Sequence, residues 1–381
     1  MPYWRLSGFY FFYFASLGAL LPYWSLYLKS LGFNITEIGN LMAILMATKI
    51  ISPNIWGWVA DHTGRRMAIV RMGCLISMLA FAGVFYSDDF AWLVLVMVVF
   101  SFFWNATLPQ FEATTFSHLG SQTHRYSSIR LWGSLGFIAA VWGLGSLLEG
   151  DSIRLLPVIL LIMFAGIWLS SLLVPEKAAG HLSLDHEPLR KLLRRPEVLG
   201  LLVACFLMQA SHGPYYTFYS IYLQDYGYSL PAIGGLWALG VAAEVGIFLL
   251  MSRLVPQFGL RGLLLGSLLL TALRWLITAL YPESMGLMVF AQCLHAASFG
   301  IYHAVAIQYI HNFFSGRHQG KGQALYSSLS FGAGGALGSL YSGYLFDGLG
   351  ARSMFLTAMV LALAGFFIAW RYLPVESSSI K

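Results

Sequence analysis

The stretch Gly57-Trp58-Val59-Ala60-Asp61-His62-Thr63-Gly64-Arg65-Arg66 lies between two long apolar runs. Gly57 allows a neighbouring helix to approach closely, and Gly64 permits the positive φ of a tight turn. Asp61 lies where it can cap a helix or meet an arginine. Arg65 and Arg66 are expected to hold the loop on the cytoplasmic side of a membrane, where basic residues accumulate. The stretch therefore predicts a tight basic turn between two membrane helices.

The composition indicates a membrane protein. The chain of 381 residues has a mean hydropathy of +0.70, 58% hydrophobic residues and only 10% charged residues, whereas soluble domains carry about 25% charged residues. The net charge of +6 does not indicate nucleic-acid binding, because the basic residues punctuate the ends of apolar segments. We therefore expect the lipid bilayer as a partner and no nucleic acid.

The same composition gives no sign of a catalytic site. Cys74, Cys205 and Cys293 all lie inside apolar runs, which predicts buried free thiols with neither a disulfide framework nor metal-ligand spacing. No nucleophile-base arrangement, metal-ligand set or nucleotide-binding loop stands out. We expect no cofactor, no metal and no enzymatic activity.

Apolar runs long enough to cross a bilayer, about 20 residues each, recur along the whole chain. The run that follows Arg5 has no small-residue cleavage site, so we interpret it as a retained first helix. The sequence predicts twelve spans, near 7–28, 36–60, 67–86, 90–117, 126–148, 154–174, 198–223, 230–254, 261–281, 285–311, 322–346 and 353–373.

The basic residues predict the orientation of these spans. If the amino terminus is cytoplasmic, most Lys and Arg residues fall at cytoplasmic ends and loops, and the opposite side keeps only Lys29, Arg154 and Arg352. We therefore expect a multi-pass protein with both termini in the cytoplasm.

An internal repeat divides the chain. Residues 25–43 align with 220–238 at an offset of 220 − 25 = 195, and the same offset maps Gly64 onto Gly259. This duplication predicts an all-α membrane protein of two six-helix bundles, over 1–174 and 198–381, joined by a polar cytoplasmic linker at 175–197. Parallel repeats of this kind rock to expose a central site to alternate sides of the membrane.

Five charged residues lie at membrane depth, where each one is by default a candidate functional residue. They are Lys49, Glu112, Arg130, Glu244 and Arg274. Glu112 and Arg130 lie at about equal depth on spans four and five, so they can pair across an antiparallel hairpin. Such a pair can bind a ligand or can be a salt bridge without one.

Lys49 and Arg130 would together make a first-half cavity cationic enough to hold a carboxylate. In the second half, Glu244, Arg274 and His295 lie well inside spans eight, nine and ten. A carboxylate, a guanidinium and an imidazole at similar depth can exchange a proton when the conformation changes. His303, two turns further on, is a weaker candidate for the same role, and His295 can also be read as a satisfied packing histidine.

The opening stretch resembles the loop between the second and third helices of the major facilitator superfamily, matching it at Gly57, Asp61, Gly64, Arg65 and Arg66. The resemblance implies that these residues act as a conformational gate.

The charged residues look like those of the proton symporters of the lactose permease group, and the chain is similar to the 3-phenylpropionic acid permease group along almost its whole length. Gln209 with His212 is one of the similar positions. The resemblance implies that Glu112 and Arg130 bind substrate, and that the cluster of Glu244, Arg274 and His295 carries substrate contacts and the proton. Lys49, Gln209 and His212 complete the predicted substrate-binding set, and His303 completes the predicted proton-coupling set. The chain departs from lactose permease at Ser298, where an acid would follow the histidine, so Glu244 and His295 are the expected proton carriers.

The sequence thus predicts a proton-coupled importer of a small aromatic carboxylate, monomeric and located in a bacterial inner membrane. A proton symporter of a neutral sugar or nucleoside is the second reading. An efflux antiporter ranks lower, because the fifth span lacks the Gly-Pro pair common in such proteins.

Overall fold

The computed structural model describes residues 2–122, 125–176, 192–314 and 318–374, and within these ranges the chain is helical with no strand. Residues 177–191, which form most of the predicted linker, lie outside the described residues. The first part of the chain forms α1 (Tyr3–Ser30), α2 (Ile35–Thr63), α3 (Arg66–Phe81), α4 (Phe90–Leu119), α5 (Tyr126–Leu147) and α6 (Leu156–Leu173).

The second part contains longer and more broken helices. They are α7 (Pro196–Ser211), α8 (Gly213–Asp225), α9 (Leu230–Leu280), α10 (Met285–Cys293), α11 (Tyr302–Phe313), α12 (His318–Ser327) and α13 (Gly335–Tyr372). Two π-helical segments, Ala296–Ile301 and Ser328–Gly334, connect α10 to α11 and α12 to α13.

Nine helical stretches in the described ranges are long and apolar enough to cross a membrane. Two of them, of 51 and 53 residues, are interrupted by non-helical backbone at Gly259 and Gly350, so each contains two spans. The 22-residue α5 occupies the position of the predicted fifth span. The structure therefore confirms the all-α membrane fold and agrees with twelve spans.

Polar residues fix several helix ends. Asn34 and Glu37 form a capping box at the start of α2, in which the Asn34 side chain accepts from the Glu37 N–H at 2.9 Å and the Glu37 carboxylate accepts from the Asn34 N–H at 3.0 Å. Asp89 caps α4 by accepting from the Trp92 N–H at 3.1 Å. These bonds satisfy backbone groups that have no partner inside the helix.

The structure supports the internal repeat through glycines of positive φ. Gly32 and Gly227, separated by the repeat offset of 195, have φ values of 95° and 82°. Gly64 and Gly259, separated by the same offset, have 67° and 66°. Because such backbone favours glycine, the two halves use the same residue type to turn the chain at corresponding places.

The chain packs as two compact units, one of Met1–His181 with Tyr215–Ala238 and the other of Leu182–Pro214 with Leu239–Lys381. These units do not have the bounds of the bundles predicted over 1–174 and 198–381, so that division stays a prediction from the repeat. In the first unit, α1 packs on α5 and α6, and α4 packs on α2 and α3. A Cβ at Gly18 would lie 2.8 Å from the Phe137 carbonyl oxygen, so α1 and α5 meet through their backbones.

In the second unit, α7 packs on α13. A Cβ at Gly338 would lie 2.6 Å from the Ala210 carbonyl oxygen, and one at Gly334 would lie 2.7 Å from that of Phe206. Small residues therefore bring these helices into backbone contact, as in other membrane bundles. Cys74 and Cys205 are buried as predicted, but Cys293 is exposed, because it faces outward from α10.

Candidate functional site

The opening stretch forms the predicted turn between α2 and α3. Gly64, at φ 67°, ends α2 by donating its N–H to the Ala60 carbonyl at 2.9 Å. Arg66 begins α3, and its Nη2 lies 2.9 Å from Asp61 Oδ1. Asp61 therefore meets an arginine, one of its two predicted roles. Arg65 immediately precedes α3 and makes no side-chain cap.

The expectation for Gly57 is wrong in its physical reason. A Cβ at this position would lie 3.6 Å from Gln110 Nε2 on α4, which is ordinary van der Waals distance. Helix α4 is therefore a neighbour of Gly57 but does not require the absence of a side chain there.

A carboxylate that the sequence did not single out caps the helix after the turn. Both oxygens of Glu176 accept from the Met67 N–H, at 3.2 and 3.0 Å. Arg71, one turn further along α3, donates to the Ser171 and Val174 carbonyls at the end of α6. The end of α6 is thus tied to the start of α3, and local sequence does not signal this tertiary contact.

Arg130 and Glu112 do not form the predicted salt bridge. The Glu112 carboxylate instead accepts from the Tyr126 hydroxyl at 3.1 Å. The Arg130 guanidinium carbon lies 3.7 Å from the centre of the Phe14 ring. Each charge thus has a neutral aromatic partner in place of the direct pair, because the packing of α1 on α5 brings Phe14 to Arg130.

Arg130 has no described hydrogen bond or carboxylate within salt-bridge distance in the part of the chain that the structure covers. It is half-buried on α5. A half-buried cation whose N–H groups are not consumed by the protein is available to an anionic ligand.

Lys49 lies on α2 and is half-buried. Its Nζ lies 3.5 Å from the Met46 sulfur, and no carboxylate lies within salt-bridge distance of it among the described residues. The preceding residue, Thr48, takes part in a polar cluster by donating to Ser101 and accepting from Asn105. Lys49 and Arg130 lie on helices with different main packing partners, since α2 packs on α4 and α5 packs on α1. Joint binding of one carboxylate by the two residues therefore stays a prediction.

Arg274 is the centre of a buried polar cluster in the second unit, with 1% of its surface exposed. Its Nη1 lies 3.0 Å from His295 Nδ1 and donates to Ser298 Oγ at 2.9 Å. Its Nη2 donates to Gln292 Oε1 at 3.2 Å. Three acceptors thus compensate the cost of burying this charge.

Glu244 approaches the same cluster from α9. Its Oε2 lies 3.7 Å from His295 Nε2. The imidazole therefore lies between a guanidinium on Nδ1 and a carboxylate on Nε2. The structure brings together Glu244, Arg274 and His295, the three groups that the sequence singled out in this half.

His303 belongs to the same face of the chain but does not touch His295 directly. The Phe299 ring stacks between the two imidazoles, with centroids 5.5 Å from His295 and 5.6 Å from His303. His303 Nδ1 lies 3.1 Å from the Tyr326 hydroxyl. His303 is thus a neighbour of the cluster through an aromatic ring.

Gln209 and His212 lie near the end of α7, where both are buried. His212 Nδ1 lies 2.8 Å from the Met208 carbonyl, and its ring meets Trp275 edge to face at 5.0 Å. Gln209 Nε2 is buried without a hydrogen-bond partner in the described ranges. An unsatisfied buried amide is costly, which marks Gln209 as a candidate ligand donor.

The sequence interpretation missed Phe14, Tyr126 and Gln292, and treated Ser298 only as the place where an acid is lacking. Gln292 and Ser298 lie three residues before and after His295, a helical spacing that could have identified them. The π-helical segment Ala296–Ile301 had no comparable signal. Such segments often occur at functional sites.

Three comparisons place the chain among known proteins. A model of the MFS_1 like family matches residues 3–357. The chain is 30% identical over 384 residues to the probable 3-phenylpropionic acid transporter of Escherichia coli (strain K12), covering 97% of this chain and 98% of that protein.

It is 27% identical over 368 residues to the maltose permease of Geobacillus stearothermophilus, covering 94% of this chain and 92% of that protein. Its fold is similar to a crystal structure of a variant of the nucleoside transporter NupG, with a TM-score of 0.87 at 17% identity, covering 98% of this chain and 100% of that one.

Proposed function

Because this chain belongs to the MFS_1-like family of major facilitator transporters, we propose that it imports a small aromatic carboxylate together with a proton. The family assignment makes it a multi-pass membrane transporter and not an enzyme. The substrate class follows from the relative described as a probable 3-phenylpropionic acid transporter. Import by alternating access in a bacterial inner membrane, by a monomer with both termini in the cytoplasm, is part of the proposal.

The observation that carries the proposal is that the Arg130 guanidinium contacts an aromatic ring and has no carboxylate partner among the described residues. Its guanidinium carbon lies 3.7 Å from the centre of the Phe14 ring, and no protein carboxylate occupies its N–H groups in the described chain. A contact with an aromatic ring does not use the hydrogen-bonding capacity of a guanidinium, and its N–H fork matches a carboxylate. Arg130 is thus the proposed anchor for the acid group, with Glu112 acting on it through charge.

The remaining substrate contacts of the proposal are Lys49, Gln209 and His212. Lys49 supplies a second cation that has no carboxylate partner among the described residues. The unsatisfied amide of Gln209 supplies a hydrogen-bond donor. His212 contributes an aromatic edge beside Trp275.

The proton is proposed to bind at Glu244. The Arg274 guanidinium, which can only donate, lies 3.0 Å from His295 Nδ1, so the neutral imidazole accepts there and carries its proton on Nε2. That N–H faces the Glu244 carboxylate at 3.7 Å. Protonating His295 would place a second donor against Arg274, whereas protonating Glu244 neutralises a half-buried carboxylate.

Protonation of Glu244 would also weaken its attraction to the His295 N–H. The coupling residues Arg274, His295 and Ser298 would then be free to rearrange as the carrier changes conformation. His303 is proposed as a neighbouring group that responds through the Phe299 ring and Tyr326.

The turn at residues 57–66 is the proposed conformational gate. The Asp61–Arg66 pair and the positive φ of Gly64 keep α2 and α3 in one geometry. Gly57 and Arg65 complete the group that the family resemblance assigns to this role.

A neutral sugar or nucleoside is the second candidate substrate class, because the relatives include a maltose permease at 27% identity. The two classes differ in whether they carry a negative charge. Arg130 and Lys49 favour the anion.

Uptake into proteoliposomes tests the proposal. Labelled 3-phenylpropionate, maltose and uridine are offered with and without an inward proton gradient. Accumulation of the acid, stimulated by an acidic exterior, is the expected result. Accumulation of maltose or uridine instead would assign the second substrate class, and acid uptake without gradient stimulation would remove proton coupling.

A further inference from the structure

Phe14 on α1 and Gly133 on α5 form a seat around the Arg130 guanidinium. The guanidinium carbon lies 3.7 Å from the centre of the Phe14 ring and 5.9 Å from that of Tyr10. A cation placed over an aromatic face in this way is attracted by the electron density of the ring. The contact therefore stabilises the position of the guanidinium beside the Phe14 ring.

Gly133 makes this position possible. A Cβ there would lie 2.6 Å from Arg130 Nη1 and 2.7 Å from Phe14 Cδ2. Both distances are shorter than any stable contact, so a side chain at 133 would displace the guanidinium from the ring. Gly133 is three residues after Arg130, so the two residues lie on the same face of α5.

The seat is held by rigid backbone. One turn beyond Gly133, a Cβ at Gly136 would overlap the Phe11 carbonyl oxygen of α1, so the two helices are in direct contact there. Phe14 is also packed edge to face against Tyr13 at 5.4 Å, and Tyr13 stacks on Trp104 at 4.8 Å. Through Tyr13, the Phe14 ring is thus in contact with a buried aromatic cluster.

We propose that Phe14 and Gly133 are positioning residues for substrate binding, which hold the Arg130 guanidinium by its face so that its N–H fork is presented to the carboxylate of the ligand. The inference rests on the proposed function of Arg130 as the anchor for an acid. It assigns to Phe14 and Gly133 an effect on carboxylate affinity that exceeds their effect on folding.

The test compares Phe14→Leu, Phe14→Trp, Gly133→Ala and the control Gly143→Ala in purified full-length protein. Gly143 is on the same helix and has open space where a Cβ would be added. Affinity for 3-phenylpropionate is measured by calorimetry and the melting temperature by differential scanning fluorimetry. Phe14→Leu and Gly133→Ala are expected to weaken binding about tenfold, with Phe14→Trp and Gly143→Ala close to the parent.

A structural role alone would lower the melting temperature and would not be rescued by tryptophan. Affinity that is unchanged in both Phe14→Leu and Gly133→Ala, while the parent binds the acid, overturns the positioning role and leaves the proposed function standing. An affinity of Phe14→Trp that is as low as that of Phe14→Leu also overturns the positioning role.

A second measurement needs no substrate. Phenylglyoxal labels arginine side chains, and its reaction with Arg130 is followed by peptide mass spectrometry. A guanidinium released from its seat is expected to react at least about threefold faster in Phe14→Leu and Gly133→Ala than in the parent and Gly143→Ala. If the parent binds no acid, the proposed function fails, and this labelling rate decides the positioning role independently; equal rates in all four proteins overturn it.

Discussion

Lys29 Nζ lies 2.7 Å from Asp225 Oδ1, so a salt bridge joins the last turn of α1 to the last residue of α8. The internal repeat places Lys29 opposite Gln224 and Ser30 opposite Asp225 at the offset of 195. All of these except Asp225 line a cavity of about 300 Å³, together with Arg154. The ends of the two repeated helices therefore meet at one charged contact in this conformation.

We expect this salt bridge to contribute weakly to stability, by about 0.2–1 kcal/mol, because its side chains are 38% and 45% exposed. Lys29→Asp should lower the melting temperature by opposing two carboxylates, and the exchanged pair Lys29→Asp with Asp225→Lys should recover most of the loss. A double-mutant cycle at low and high salt measures the coupling energy between Lys29 and Asp225. A coupling energy of zero at low salt would contradict the expected attraction.

The turn between α2 and α3 gives a matched pair of glycine substitutions. Gly64→Ala is expected to destabilise the protein by about 1–2 kcal/mol, because its φ of 67° is left-handed. Gly57→Ala should cost less than about 0.5 kcal/mol, since the added Cβ meets Gln110 at an ordinary 3.6 Å. Thermal inactivation in detergent compares the two, and equal losses would contradict the backbone argument.

Arg130→Ala is expected to abolish binding of 3-phenylpropionate without affecting membrane insertion. Arg130→Lys should weaken it at least about tenfold, because an ammonium keeps the charge but loses the planar N–H fork. Calorimetry on purified protein measures both. Arg125→Ala, which removes an exposed arginine just before α5, is the control and should bind as the parent does; normal binding by Arg130→Ala would exclude Arg130 from the site.

Glu244→Gln is expected to lose gradient-driven accumulation and to retain part of the substrate exchange. The amide cannot take up a proton, but its shape still fills the place beside His295. Uptake under a proton gradient and counterflow without one separate the two activities. Accumulation at the parent level would refute the role of Glu244 in coupling.

Ser298→Ala removes one of the three described acceptors of the Arg274 guanidinium. Because the arginine is buried, we expect a loss of about 1–3 kcal/mol in stability. Ser298→Thr keeps the hydroxyl and is the matched control. Thermal unfolding of both variants tests the contact, and an Ala variant as stable as the parent would show that the hydroxyl does not stabilise the buried charge.

Local sequence was sufficient for the elements of the fold and for part of the polar cluster. Apolar run length located the spans, and the offset of 195 related glycines whose backbone proved to have the same sign of φ. Membrane depth alone selected Glu244, Arg274 and His295, because charges are so costly in lipid that each one implies a partner.

Only the tertiary structure decided which groups are partners. Equal depth made Glu112 and Arg130 a plausible pair, yet the packing of α1 against α5 brought Phe14 to the guanidinium, and Tyr126 took the carboxylate. Depth along a helix follows from counting residues, whereas the direction that a side chain faces depends on how two helices approach. At Gly133 that approach is set by an absent side chain, whose effect appears only when the neighbouring helix is in place.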